Sequence, residues 1–440
     1  MTLIMRGEWS GVLRGLALVA SLLLTSCEAE EEPPFDCSPD AQKAFVQYVM
    51  STVYLWADRV PEIDIADYAT PAEVLEAMAY REVDRWSGVI PLKPYVDYFE
   101  HGETFGFGYS TTTETGELRV NWVVQSAPAG QAGMRRGDTI LGIGGYTIAE
   151  IEAEHLWETV LGPNERGAPV VHRVRHVDGE EEDLTIEKDV VAVDRVPVVK
   201  VFPNEQGNIG YVLFMGFVGP SEADLRAAFE QLREQDVKRL IVDLRYNGGG
   251  YVWIAGLIGS LIGGPEHAGE ILLRNAYNPD YADWDGEMRL TEEPEAISAE
   301  QVIFLTSGGT ASASELLING LKPFMDVKLV GGRTYGKPVG ADAWQYCDNV
   351  VSPITFRSLN AFGEGDYFQG IPVDCEVADD LDHMLGDERE SRLQAALALM
   401  AGEGCLKRSP PQLPRDQGLD IDLARQRVES LIMPEMGGMQ

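Results

Sequence analysis

Two serines of the 440-residue chain lie where a nucleophile would be chemically supported. Ser312 and Ser314 belong to a run of small residues, 310–315, that opens a helical pattern of apolar residues. The first N–H groups of a helix have no intrahelical acceptor, and the helix dipole favours negative charge beside them. An oxyanion that formed next to Ser312 would therefore be stabilised.

A lysine follows on a glycine-rich loop. The apolar segment after the helical pattern ends at Gly331 and Gly332, and Lys337 comes shortly afterwards. A lysine held there could reach the serine and, with a lowered pKa, take its proton. The pattern predicts serine–lysine peptidase chemistry, but spacing alone does not choose between Ser312 and Ser314.

This stretch resembles the C-terminal processing (tail-specific) peptidases. In that family a small-residue run ending in Ser-Glu is followed by a Gly-Lys pair. The family's base comes 25 positions after its nucleophile, which is the separation between Ser312 and Lys337. The resemblance therefore implies that Ser312 is the nucleophile and Lys337 the general base.

A second motif of the same family follows an apolar strand. Residues 240–244 are almost all apolar, as expected of a strand buried on both faces, and they lead into a glycine-rich turn, 245–250. The turn resembles the family's Asp-Leu-Arg-x-Asn-x-Gly-Gly element. The resemblance implies two oxyanion-hole N–H groups, one from Ala313 and one from Gly249, with Gly248 as the accepted alternative. A dinucleotide site would need a Gly-x-Gly-x-x-Gly fingerprint, which is not present.

One feature of the family is missing. Many members place a glutamine four residues after the lysine to orient it, and this chain has Ala341 at that position. The departure leaves the third catalytic member open. Gln345 lies nearby in the sequence and is the candidate substitute.

The patterns predict an α/β chain of the α+β multi-domain type. Segment 123–145 resembles the family's PDZ signature, and the resemblance as a whole covers roughly residues 100–400. The predicted parts are a lipoprotein signal peptide (1–27), an acidic tether (28–36), a helical N-terminal region (37–100), a PDZ domain (103–192), a mixed α/β serine peptidase core (196–404) and a C-terminal tail (405–440).

The run Phe105, Gly106, Phe107 and Gly108 lies where a PDZ domain places its carboxylate-binding loop. Glycines there would expose backbone N–H groups to the C-terminal carboxylate of a peptide, and the next strand would pair with the peptide backbone. We therefore expect the loop to capture substrate C-termini. The alternative is a glycine-rich strand that only packs on the peptidase core.

The N-terminus has the pattern of a bacterial export signal. Basic residues precede a short apolar run, which ends in Leu-Thr-Ser-Cys27 and looks like a lipobox. Lipidation of Cys27 would anchor the mature chain. Glu28 follows instead of Asp, which favours the outer membrane, with the protein facing the periplasm. A plain secretory signal with an incidental cysteine is the alternative.

Net charge limits the partners of the chain. The formal charge is −36, with 71 Asp and Glu against 35 Lys and Arg. This charge argues against nucleic acid and anionic membrane surfaces as partners and indicates a strongly solvated exterior. Solubility is the simplest explanation, and selection of basic substrates is the other.

Removal of Cys27 leaves four cysteines in an oxidising compartment. They are scattered without metal-ligand spacing, so we expect no zinc site. Of the three pairings that four cysteines allow, Cys347 with Cys375 is preferred because both flank one strand-rich stretch.

Together these features predict an envelope serine endopeptidase that recognises proteins by their exposed C-termini. Its partners would be protein or peptide substrates and, through a lipid anchor, a membrane; no metal or organic cofactor is required. The alternative is a catalytically silent PDZ scaffold that binds C-terminal peptides, which the missing glutamine supports.

Overall fold

The computed structural model describes residues 36–113 and 116–405 and confirms the predicted mixed α/β class with helices at its N-terminal side. The predicted signal peptide, Cys27 and nearly all of the tether lie outside the described residues, as does the tail beyond Cys405. Within the described ranges, no helix combines the length and apolarity that crossing a membrane requires.

The N-terminal part packs directly on the rest of the protein. Helix α1 begins after Ser38, whose hydroxyl accepts a hydrogen bond from the Ala41 N–H, and Pro39 fills the first helical position. Apolar side chains of α1 and of the next helix, α2 (Pro71–Met78), share one core with Val339 and Trp344. The elements are α1 (Pro39–Thr52), α2 (Pro71–Met78), β1 (Gly88–Pro91) and α3 (Leu92–Phe99).

Residues 103–192 form a separate, mainly antiparallel unit with its own apolar core. Its main sheet has the order β3-β4-β5-β7-β8, so β3 is an end strand, and β2 pairs with β9 in a second, small sheet. The elements are β2 (Glu103–Gly106), β3 (Tyr109–Thr112), β4 (Arg119–Val123), α4 (Pro128–Gln131), β5 (Thr139–Ile143), β6 (Tyr146–Thr147), α5 (Ile148–Glu154), α6 (Trp157–Leu161), β7 (Pro169–Arg175), β8 (Glu181–Glu187) and β9 (Asp189–Ala192).

The remaining chain, residues 198–405, contains a six-stranded sheet with helices on both faces and further strands outside that sheet. Its first elements are β10 (Val198–Phe202), β11 (Ile209–Leu213), α7 (Ser221–Glu234), β12 (Arg239–Asp243), α8 (Val252–Gly263), β13 (Ile271–Tyr277), β14 (Gly286–Arg289), β15 (Gln301–Thr306) and α9 (Ala313–Leu321). Its last elements are β16 (Asp326–Gly331), β17 (Val339–Ala341), β18 (Trp344–Tyr346), β19 (Asn349–Ser352), β20 (Ile354–Leu359), β21 (Cys375–Glu376) and α10 (Ser391–Met400). Short 3-10 helices lie at Ala57–Arg59, Ile65–Asp67, Pro265–His267 and Pro279–Trp284.

The strand order of the large sheet is β10-β11-β12-β15-β16-β21, and all neighbours are parallel except the β10–β11 pair. Side chains of α7, α8 and α9 cover one face, and those of α10 cover the other. Strands buried on both faces must be apolar throughout, which explains the continuous apolar runs in the sequence. β1 joins the β18–β19 hairpin, so the N-terminal part contributes a strand to the core.

A buried charge network lies under the sheet's carboxyl edge. Arg245 is fully buried and bonds Asp243, Glu390 and Asp379 at 2.8–2.9 Å. Arg136, from the unit 103–192, bonds the same Asp379 at 2.9 Å. The neighbouring cations hold the pKa of Asp379 well below its usual range, although burial alone would raise it. The network therefore connects three separate stretches of the chain.

The disulfides correct the predicted Cys347–Cys375 pairing. Cys347 bonds Cys37, and Cys375 bonds Cys405, with Cα separations of 5.8 and 5.5 Å. Cys347 lies at the turn between β18 and β19, whereas Cys375 begins β21 at the edge of the large sheet. The prediction was wrong because the stretch between these two cysteines does not form one sheet.

Arg245→Ala is expected to lower the free energy of unfolding by about 3–5 kcal/mol, because it leaves three buried carboxylates without their shared cation. Urea unfolding followed by tryptophan fluorescence measures the loss. Arg289→Ala is the control, since the Arg289 side chain is half exposed and bonds the Glu287 carboxylate and the Gly269 carbonyl at the surface. Its effect should stay under about 1 kcal/mol. Equal, small effects of both substitutions would contradict the network's structural role.

Candidate active site

Three turns meet at one edge of the large sheet. β12, β15 and β16 are parallel neighbours, so their carboxyl ends open on the same side. The turns that follow them are joined by backbone hydrogen bonds: the Ala311 N–H donates to the Asn247 carbonyl at 3.2 Å, and the Tyr335 N–H donates to the Thr310 carbonyl at 3.0 Å. The sheet thus brings together the glycine turn, the serine run and the lysine loop.

Ser312 precedes helix α9 with a backbone that L residues rarely adopt. Its φ is +55° and its ψ is −117°. Such a conformation costs about 1–3 kcal/mol and persists only where its surroundings impose it. The Ser312 N–H donates to Glu315 Oε2 at 3.1 Å, and the residue remains partly exposed. The strained turn therefore presents this serine at the surface of the site.

Ser314 has a different environment. It is fully buried, and its hydroxyl donates to the Asn247 carbonyl at 2.9 Å. That bond fastens the first turn of α9 to the glycine turn. Spacing alone left the two serines equivalent, whereas the geometry gives Ser314 a packing role and favours Ser312 as the reactive one.

Gly249 lies against the serine turn. Its φ is +100°, and a methyl group there would lie 2.8 Å from both the Ala313 N and the Ser312 Cβ, so only glycine fits. Its own N–H, however, donates to Asn247 Oδ1 at 2.9 Å. Neither the exposed Gly248 nor Ala313 donates its N–H to any described residue. Gly248 and Ala313 therefore keep open N–H donors, whereas the N–H of the preferred Gly249 is occupied, which favours the alternative Gly248.

Lys337 is buried beside the serine turn. The loop turns at Gly336, whose φ is +98°. A Cβ atom at this position would collide with the Phe368 carbonyl oxygen. Burial lowers the pKa of Lys337 to about 8, and the nearby Asp84 and Glu315 carboxylates limit the drop. A lysine in this environment is neutral in a useful fraction near neutral pH.

Glu315 connects the nucleophile to the base. Its fully buried carboxylate accepts hydrogen bonds from four groups, which are the backbone N–H groups of Ser312, Gly336 and Lys337 at 3.1, 2.8 and 2.8 Å and the Thr334 hydroxyl at 2.5 Å. Burial raises the pKa of Glu315, and these donors oppose the rise. The Ser-x-x-Glu spacing typical of a helix start could have identified Glu315 from the sequence.

Gln345 is not placed to orient the lysine. It lies on β18, opposite Val350, and its amide donates to the Cys347 carbonyl at 3.4 Å. Among described residues it makes no hydrogen bond with Lys337. Ala341, where the family's glutamine was expected, lies on β17 opposite Ile354. The structure therefore does not support Gln345 as a substitute.

The predicted carboxylate loop is a turn between β2 and β3. Phe105 and Gly106 end β2, Phe107 is buried, and Gly108 has a φ of +84°. The Phe107 and Gly108 carbonyls accept hydrogen bonds from Ala129 and Val124, whereas neither residue donates its N–H to a described residue. Two open amides beside an end strand form the arrangement that carboxylate capture requires.

Comparison with known proteins places these features in context. Residues 208–377 match the model of peptidase family S41, and residues 41–88 match that of the peptidase S41 N-terminal domain. The carboxy-terminal processing protease CtpA of Bacillus subtilis is 25% identical over 277 residues, covering 62% of this chain and 56% of that protein. The chloroplastic carboxyl-terminal-processing peptidase 3 of Arabidopsis thaliana is 26% identical over 347 residues, covering 76% and 65%.

The fold is also found among solved structures. A crystal structure of a Bacteroides fragilis protein assigned to the S41 proteases has a TM-score of 0.66 at 22% identity, covering 82% of this chain and 97% of that one. At this level of sequence identity, the structural similarity shows a common fold and nothing beyond it. The chain spans less than two thirds of the length of the two processing proteases, 56% and 65%.

Glu315→Gln is expected to lower the free energy of unfolding by about 2–4 kcal/mol. The amide NH₂ that replaces one oxygen would face N–H donors, so at least one pair of charge-assisted hydrogen bonds is lost. Chemical denaturation measures the change. Glu300→Gln is the control, because the Glu300 side chain is exposed, and it should change stability by less than about 0.5 kcal/mol. A Glu315→Gln variant as stable as this control would contradict the connecting role.

Proposed function

We propose that the chain is a serine endopeptidase with Ser312 as nucleophile and Lys337 as general base, because residues 208–377 and 41–88 match the models of peptidase family S41 and of its N-terminal domain. The observation that carries the proposal is the pairing of a partly exposed, strained serine at a helix start with a buried lysine, both bonded to Glu315 through their backbone N–H groups. The carboxy-terminal processing proteases among its relatives agree with this reaction class.

The neutral amine of Lys337 takes the Ser312 hydroxyl proton as the serine oxygen attacks a peptide carbonyl. The oxyanion of the tetrahedral intermediate receives hydrogen bonds from the open amides of Gly248 and Ala313 and lies at the positive end of α9. The lysine then protonates the leaving amine, which gives an acyl-enzyme. A water molecule, deprotonated by the same lysine, then attacks the acyl-enzyme carbonyl. The lysine returns that proton to the Ser312 oxygen as the product acid leaves, which restores the free serine and the neutral amine. Protein groups and water supply every proton in this sequence.

We further propose that substrates are recognised by exposed C-termini. The open amides of Phe107 and Gly108 can bind a carboxylate, and the end strand β3 can pair with an extended peptide. The envelope location and outer-membrane lipid anchor rest on the residue pattern around Cys27. Both proposals require that residues 1–27 act as an export signal.

A catalytically silent scaffold is the second candidate. Among the described residues, no hydrogen bond joins the Lys337 amine to the Ser312 hydroxyl, and Ala341 takes the place of the expected glutamine. A scaffold would bind C-terminal peptides without cleaving them. An enzyme would close this contact when substrate binds, as catalytic hydrogen bonds often do.

Hydrolysis of unfolded β-casein by residues 28–440 distinguishes the two candidates. Ser312→Ala and Lys337→Ala should each lower kcat/KM at least about a thousandfold, because they remove the nucleophile and the base. Ser314→Ala is the matched control, since it removes a hydroxyl two residues away, and it should retain activity within about tenfold. Turnover that survives Ser312→Ala would exclude the proposed nucleophile. A lack of turnover in every form, with C-terminal peptides still bound, would indicate the scaffold.

The kcat/KM of the wild-type chain should rise with pH through about 8. Lys337 must be neutral to act as a base, so each unit of pH below its pKa of about 8 reduces the competent fraction about tenfold. Above that pKa the rate should level off. Initial rates on a fluorogenic peptide between pH 5.5 and 9.5, with circular dichroism to verify folding, test this; these pH limits span roughly two units around the lysine pKa. A flat profile would exclude a lysine base with a pKa near 8.

A further inference from the structure

The amine of Lys337 has no visible anchor. Glu315 holds the backbone of the lysine, but no described residue accepts a hydrogen bond from the side-chain amine. A flexible four-carbon side chain whose amine is not held cannot keep a fixed distance to a nucleophile. Some other group must orient it, and neither Ala341 nor Gln345 does so.

Asp84, in the N-terminal domain, is a fully buried carboxylate whose negative charge opposes the effect of burial on the pKa of Lys337. Its Oδ1 accepts hydrogen bonds from the Trp86 and Ser87 N–H groups at 2.9 and 3.0 Å, and its Oδ2 accepts one from the Tyr54 hydroxyl at 2.8 Å. The nearest guanidinium nitrogen, on Arg81, is 4.0 Å from Oδ1. The carboxylate is therefore fixed in direction, and its negative charge is only partly compensated.

The turn that carries Asp84 is fastened to the lysine loop. Arg85 donates to the Tyr335 and Gly336 carbonyls at 3.3 and 3.5 Å, and its guanidinium lies 4.7 Å from the centre of the Tyr335 ring. Trp86 packs 6.2 Å from Phe368, which contacts the same loop at Gly336. These contacts fix the turn that carries Asp84 against the backbone of the lysine loop.

On the far side, the turn is fixed to the β-hairpin region of the core. The Ser87 hydroxyl accepts a hydrogen bond from the Ile354 N–H at 2.9 Å, and β1 then pairs with β19. Motion of Asp84 away from the site would therefore break contacts on both sides of the turn.

We propose that Asp84 is a positioning residue for Lys337: its carboxylate orients the amine toward Ser312 and stabilises the ammonium that forms during attack. This role rests on the proposed peptidase function. Other ionisable groups contact the lysine loop or Asp84. Glu315 accepts the Lys337 N–H, Arg85 bonds two carbonyls of the loop and lies over the Tyr335 ring, and the Tyr54 phenol donates to Asp84.

Two effects of opposite direction follow from removing the charge. Without Asp84, burial acts on the lysine with less opposition, so its amine loses its proton at lower pH. The ammonium that forms in the transition state also loses its counter-charge, so the maximal rate falls. In acid, a variant with both changes keeps a larger share of its own maximal rate than the wild type does. Its maximal rate, reached in base, is lower than that of the wild type.

The test is the rate at which a fluorophosphonate modifies Ser312 in residues 28–440, measured between about pH 5 and 10, a range that extends at least about two units on either side of the Lys337 pKa of about 8. Asp84→Asn should move the midpoint of the pH profile down by about one unit and lower the plateau about 10–100-fold. Asp67→Asn makes the same chemical change on an exposed 3-10 helix of the same domain. Its profile should superimpose on that of the wild type.

Asp84→Glu keeps the charge but displaces the carboxylate. The midpoint should stay near that of the wild type, while the plateau falls at least about tenfold, because orientation is lost. This variant also decides the question if Asp84→Asn gives no cooperative thermal transition. A plateau unchanged in Asp84→Glu, or a midpoint unchanged in folded Asp84→Asn, would overturn the positioning role alone. A wild-type chain inert at every pH would overturn the peptidase function and this role with it.

Discussion

The carboxylate of Glu315 is the interaction on which the site depends. Ser312 and Lys337 lie on turns that follow two neighbouring strands, β15 and β16. One buried anion accepts N–H groups from both. A buried carboxylate without such donors would be destabilising, so folding and assembly of the site are coupled. The strained conformation of Ser312 is maintained by the same bond.

Around this centre the site is assembled from distant parts of the chain. Below it, Arg245 ties the glycine turn to Asp379 and Glu390, and Arg136 brings the unit 103–192 to the same network. Above it, residues 84–87 of the N-terminal domain lie on the lysine loop. The N-terminal domain is thus part of the wall of the site. Rearrangement of any of these parts would change the positions of Ser312 and Lys337.

The two disulfides strengthen this assembly at its margins. Cys37–Cys347 spans 310 positions of sequence and fastens the start of α1 to the β18–β19 hairpin. Cys375–Cys405 fastens the end of the described chain to β21, at the edge of the large sheet. A cross-link between distant positions restricts the unfolded chain more than a local one does. The longer of the two retains the domain that carries Asp84 against the core.

The sequence alone determined the mixed α/β class, the two serines of the active run and the lysine, because apolar runs, helix-start residues and motif order are local properties of a chain. It left Ser312 and Ser314 to be separated by resemblance, misassigned the disulfides, and had no signal for Asp84. Those questions depend on which turns meet across the sheet. The Ser314 hydroxyl bonds the Asn247 carbonyl, the Gly249 N–H bonds the Asn247 side chain, and the turn that carries Asp84 contacts the lysine loop from more than two hundred positions away. Only the tertiary structure decides such contacts, because they arise from strand order and domain packing, which no local pattern encodes.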